Sequence, residues 1–167
     1  MSKQEQSSLK YYTGGSYETL NHKLRTGVPK YGDKEMGEMA DVAANAVTKG
    51  ASELPVGTTL SRKHDMDAAS IKKLEQSVGK VVQDKGILST STDKDFWSGD
   101  VHWQMVAGPG VKGLPSKNFS QSGKHEYEVL LPPDTRMLIT SVKKDPIGRT
   151  VVSSILLPFN EGQCCPP

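Results

Sequence analysis

His125-Glu126-Tyr127-Glu128-Val129-Leu130-Leu131-Pro132-Pro133 reads as one short strand closed by a proline pair. Strand alternation puts Glu126 and Glu128 on one face, roughly 6.5 to 7 Å apart along the chain. Tyr127 and Val129 turn to the other face, where they can pack. Two carboxylates beside an apolar run are costly unless each has a separate partner. Taken alone, the stretch also fits a solvated edge strand with ordinary surface charge. Its meaning depends on what the rest of the chain brings to it.

Upstream, β-like runs recur at residues 57–62, 87–91 and 101–107, and downstream at 137–142 and 151–157. Turn-rich stretches separate them. Helical patterns come earlier. Ser16 is a candidate cap for a helix over 17–24, closed by Gly27 and Pro29. Residues 33–49 are rich in Met, Ala, Glu and Val and end at Gly50. Residues 67–83 place Ala69, Leu74, Val78, Val81 and Val82 on a helical period. Helices first and strands later predict an α+β fold. Residues 1–10 read as a disordered tail, 11–158 as one domain, and 159–167 as a loose C-terminal tail.

The chain has 167 residues, the size of a single domain. It is 35% hydrophobic and 24% charged, polar for a globular protein but short of whole-chain disorder. A formal net charge of +2 does not point to nucleic acid. No apolar run approaches a membrane span, and the polar start lacks a signal-peptide core. Such a chain is made in the cytosol, exported by an unconventional route, or carried within a larger protein. Cys164 and Cys165 are adjacent and cannot frame a disulfide network. The four histidines show no paired ligand spacing, so no metal is expected.

Gly108-Pro109-Gly110-Val111-Lys112-Gly113 matches a glycine pattern used to cradle pyrophosphate. That use needs a helix to open at the last glycines. Leu114-Pro115-Ser116-Lys117-Asn118 follows without an apolar helical period. The pattern is read as a glycine turn between strands.

Three further segments carry polar chemistry. Gly86-Ile87-Leu88-Ser89-Thr90-Ser91-Thr92 ends an apolar strand in hydroxyls, which can fix a carboxylate or simply make a turn. Thr59-Leu60-Ser61-Arg62 ends in an arginine, whose planar fork suits a diphosphate. Tyr11-Tyr12-Thr13-Gly14-Gly15-Ser16-Tyr17 leads into a helix where Tyr17 and Asn21 share a face.

Arginine strand, hydroxyl strand, then Glu-x-Glu strand: in that order the set resembles the arginine–serine–glutamate class of mono-ADP-ribosyltransferases. That class includes actin-modifying toxins, insecticidal toxin-complex effectors, phage transferases and vertebrate ecto-transferases. The resemblance spans roughly residues 11–157. It implies two packed, mostly antiparallel sheets flanked by N-terminal helices, with an NAD cleft between them. It implies NAD as co-substrate, with Glu128 as the catalytic carboxylate held by Ser89. Arg62 would bind NAD phosphate, Phe96 would stack near nicotinamide, and Tyr12, Tyr17 and Asn21 would line the cleft. Thr90 and Ser91 would support the strand end. Lys63 stands where relatives often have glycine, and its backbone would still serve nicotinamide. Glu126 would engage the acceptor, an arginine by analogy, beside a recognition loop with Phe119 and Gln121.

By the same resemblance the chain is a monomeric toxin or effector acting in a host cytosol, released from a larger toxin, on a target such as actin or a small GTPase. Glu126 does not settle the acceptor, since some toxin-complex effectors modify side chains other than arginine, and two further readings stay open. An NAD glycohydrolase would use the same Glu128 with water as acceptor. A non-enzymatic module would carry the motifs by accident and bind NAD weakly or not at all.

Overall fold

The computed structural model describes residues 1–117, 119 and 127–159. The chain begins with a helix, α1 (Lys3–Tyr11), where the sequence suggested disorder. The cause lies in residues 2–9. The Ser2 hydroxyl accepts from Glu5 N at 3.1 Å, and the Glu5 carboxylate accepts from Ser2 N at 2.6 Å. This reciprocal cap satisfies two orphan donors, and Leu9 is fully buried. A kinked turn over Tyr12–Ser16, with Gly15 at φ 110°, leads into α2 (Tyr17–Thr26). Gly27 stops α2 in the left-handed region. Asp33 then caps α3 (Lys34–Gly50), which buries a stripe of Ala40, Ala43, Ala46 and Val47. The small residues let α1 and α2 both pack closely on α3.

The strands are β1 (Ser52–Glu53), β2 (Thr59–His64), β3 (Val81–Asp84), β4 (Leu88–Ser91), β5 (Val101–Ala107), β6 (Lys112–Pro115), β7 (Glu128–Leu131), β8 (Thr135–Lys144) and β9 (Thr150–Leu157). A fourth helix, α4 (Ala68–Gln76), lies between β2 and β3 and is capped by Asp67. It is shorter than the expected helix over 67–83. Gly79 turns at φ 80°, and Val81 and Val82 then pair with Leu138 and Met137 of β8. Branched side chains that fit a helical period fit a pleated strand better.

Hydrogen bonding runs through all nine strands in the order β1-β6-β7-β4-β2-β5-β9-β8-β3. The expected pair of sheets is therefore one ladder, but β2 meets β4 through a single pair, Ser61 with Ser91. This seam divides the sheet into a β1-β6-β7-β4 half and a β2-β5-β9-β8-β3 half. Residues of both, including Val129, Leu131, Met105 and Val152, share one apolar core. The outer face of the first half, through Ile87 and Leu130, packs on Leu9, Leu20 and the α3 stripe. Among the described residues, all strand pairings are antiparallel except β5 with β9.

The glycine pattern forms a turn and then β6, so its last glycine, Gly113, lies in a strand and opens no helix. A Cβ at Gly113 would sit 2.7 Å from a Val129 methyl, so its role is close strand packing. The tail over 160–167 lies outside the described residues.

Candidate active site

The seam places the arginine strand beside the hydroxyl strand. Arg62, Ser89 and Glu128 open on one cleft of about 160 Å³, walled by Tyr12, Tyr17 and Trp97. Beyond the Ser61–Ser91 pair the two strands splay. The Ser89 carbonyl then accepts from Arg62 Nη1 at 3.0 Å, so a side chain replaces the missing backbone partner. This bond fixes the guanidinium at the cleft.

Glu128 is 4% exposed at the start of β7, paired with Ser91. Its carboxylate accepts from the Ser116 hydroxyl at 3.0 Å. That bond corrects the expectation for Ser89, whose hydroxyl points to Tyr12 Oη at 3.4 Å. Ser116 was missed because residues 114–118 read as loop. In the fold it follows β6, whose Pro115 pairs with Val129 next to Glu128.

The N-terminal helices are locked to β4 by a buried polar knot. The Asn21 carboxamide accepts from Ile87 N at 2.8 Å and donates to Ile87 O at 2.9 Å and Tyr12 Oη at 3.1 Å. Tyr12 Oη also donates to Ile87 O at 2.9 Å. Burial pushes the Tyr12 phenol above its ordinary value, with hydrogen bonds from Ser89 and Asn21 acting against it. Asn21 is 1% exposed and its polar atoms face this knot, so it holds the wall without lining the cleft. Tyr17, on the same helix, is 41% exposed and does line it.

The remaining expectations divide. Thr90 is fully buried and its hydroxyl donates to Val129 O at 2.7 Å. The Ser91 hydroxyl accepts from Asp93 N at 2.9 Å. Both brace the strand end and neither lines the cleft. Lys63 does line it. Of the Phe96-Trp97 pair, Trp97 is the ring that lines the cleft, and Phe96 packs edge-on against it with ring centroids 4.9 Å apart. The sequence held this signal as a Phe-Trp pair. Phe119 is 4% exposed within the helical core, which corrects its assignment to an exposed recognition loop. Its ring fills the space between the helices and Leu130. Glu126 and Gln121 lie outside the described residues.

His64, also on the cleft wall, was not singled out from sequence. Trp103 Nε1 lies 3.0 Å from His64 Nε2, and His64 Nδ1 lies 3.3 Å from Asp65 O. An indole N–H only donates, so Nε2 is the acceptor and Nδ1 carries the proton. Burial first, and the Arg62 charge second, hold this histidine below its ordinary value. Both effects favour the neutral ring beside Arg62. Among the described residues, no group of three or more His, Cys, Asp or Glu is placed to hold a metal ion. Nor is any described helix long and apolar enough to cross a membrane.

A family profile described as ADP-ribosyltransferase exoenzyme matches residues 1–153. The chain is 29% identical over 166 residues to the mono(ADP-ribosyl)transferase SpvB of Salmonella typhimurium, covering 84% of this chain and 27% of SpvB. It thus spans about a quarter of that relative's length. Plx2a, an ADP-ribosyltransferase toxin from Paenibacillus larvae, shares the fold with a TM-score of 0.71 at 20% identity, over 94% of this chain and 87% of Plx2a. C3stau2 from S. aureus, solved with NAD, gives a TM-score of 0.72 at 16% identity, over 95% and 89%. The profile covers nearly the whole described fold, from the capped first helix into β9, and the chain belongs to the ADP-ribosyltransferase exoenzyme family.

Proposed function

We propose that this chain cleaves NAD at the nicotinamide–ribose bond and transfers the ADP-ribose to a side chain of a host protein. One observation carries the reading: a buried carboxylate, Glu128, and a fixed guanidinium, Arg62, open on the same aromatic-walled cleft. In the reaction the C–N glycosidic bond breaks and its electron pair leaves on the nicotinamide nitrogen, which loses its positive charge. Positive charge builds on the ribose, as in glycoside cleavage. Glu128 accepts a hydrogen bond from a ribose hydroxyl and stabilises that charge. Burial strengthens this effect, because a low-dielectric site screens charge poorly. The acceptor's lone pair forms the new bond to the anomeric carbon, and its proton passes to a base or to solvent.

Arg62 pairs with the NAD diphosphate, and Tyr17 and Trp97 offer faces to its rings. The acceptor is an arginine, with Glu126 engaging its guanidinium. Actin is the first target to test and a small GTPase the second. The activity of SpvB, named as mono-ADP-ribosyl transfer, and NAD in the C3stau2 structure support this reading.

The test is incubation with labelled NAD and a eukaryotic cell lysate, beside Glu128→Ala. A labelled band that vanishes with the variant is the expected result. Free ADP-ribose without a band would favour the glycohydrolase. No turnover of NAD in any form would defeat the enzymatic reading.

A further inference from the structure

We propose that Ser116 is the positioning residue that sets the orientation of the Glu128 carboxylate; the proposal rests on the enzymatic reading above. Ser116 is fully buried. It grips Glu128 at two points: its N–H donates to the Glu128 carbonyl at 3.0 Å, and its hydroxyl donates to Glu128 Oε2 at 3.0 Å. The first bond fixes the strand. The second restrains the side chain, whose several rotatable bonds must be held for the carboxylate to keep one orientation. A carboxylate that must meet a developing charge gains most when its orientation is set before the reaction.

The alternative positioner is Ser89, the hydroxyl that the sequence pointed to. Its hydroxyl is turned to Tyr12, and its carbonyl is taken by Arg62. Ser89 thereby ties the N-terminal wall to the arginine strand, while Ser116 approaches Glu128 from the opposite strand neighbour. In the sheet order β7 lies between β6 and β4. Glu128 is thus served by the residue that follows β6, and β4 is left to organise the rest of the cleft.

The experiment compares the whole chain with Ser116→Ala, Ser116→Thr, Glu128→Ala and the double variant Ser116→Ala/Glu128→Ala, using labelled NAD. Alanine keeps the backbone N–H and removes only the hydroxyl. The expected result for Ser116→Ala is a kcat lower by roughly 10- to 30-fold with KM within about twofold, because a hydrogen bond to a charged group is lost in the reacting state. Threonine, which keeps the hydroxyl, should recover kcat to within about threefold of the wild type. In the Glu128→Ala background, removing the hydroxyl should change the residual rate by less than about twofold, since interacting groups are not additive.

An unchanged kcat, a loss confined to KM, or an equal loss with and without Glu128 would overturn the assignment. If Ser116→Ala loses its cooperative melt, Ser116→Cys carries the test, being nearly isosteric but a much weaker donor. A folded cysteine variant with wild-type kcat would then sink the proposal. Wild-type turnover with an indifferent Ser116 would remove this assignment alone, whereas absent turnover in the wild type would remove the enzymatic reading itself.

Discussion

The half of the sheet that carries Glu128 and the half that carries Arg62 meet water differently. β7 is buried at all four of its positions, because the shared core covers one face and the helices cover the other. β9, at the centre of the second half, alternates fully buried residues with more accessible ones. Val106 and Ile155, paired across β5 and β9, are 41% and 38% exposed. A strand covered on both faces reads as a continuous apolar run, and one with a wetter face reads as an alternation. The carboxylate thus sits in the drier half, where charge acts strongly, and the arginine in the half that solvent reaches more easily.

That contrast ranks the expected losses. Glu128→Ala should lower NAD turnover by roughly 100- to 1,000-fold, as for removal of a buried charge-stabilising group, with circular dichroism unchanged; a loss below tenfold would put the decisive charge elsewhere. Asn21→Ala should destabilise the fold by about 2 to 3 kcal/mol in urea unfolding, because it leaves Ile87 N unpaired in the interior. If NAD affinity fell instead while stability held, Asn21 would belong to the cleft as the sequence suggested. Arg62→Ala should weaken NAD binding about tenfold by calorimetry, since one bond of the guanidinium is already committed to Ser89. Unchanged affinity would take Arg62 out of the site and leave it as a seam residue.

The smallest effect is one of pH. His64 and His102 titrate below their ordinary value of 6.5 in the fold, chiefly through burial. Between the folded and unfolded values the unfolded chain binds more protons, so stability rises with pH there. Melting temperature should therefore decline as pH falls below about 6.5. The decline should be shallower in His64→Gln, and an identical slope would remove His64 as a contributor.

How far the sequence reaches depends on the range of the interaction that decides each element. β5 was legible to the residue, since Val101 to Ala107 is a branched and aromatic run with clear turns on both sides. α3 was legible because its composition over 33–49 and its end at Gly50 are local signals. α1 was also local, in the Ser2 and Glu5 cap, but with Leu9 as its one buried apolar side chain it looked like a polar tail. β3 was misread because two valines satisfy both periods, and the partner strand that decides between them begins over fifty residues later. The same holds at the site. The arginine, hydroxyl and Glu-x-Glu strands announced the cleft through their order. Which serine reaches Glu128 is set by register between strands far apart in the chain, and which ring of the Phe96-Trp97 pair faces the opening is set by the path of the connection between β4 and β5.

Each half of the sheet is a plate stiffened by its own ladder, and their common edge is hinged on one backbone pair and spanned by one guanidinium. A change in the angle between the plates would load these two links first. On the function proposed above, a dinucleotide held by Arg62 on one plate and Glu128 on the other would be a brace across that edge. So placed, it would lock the two plates at one angle and stiffen the molecule around its proposed substrate.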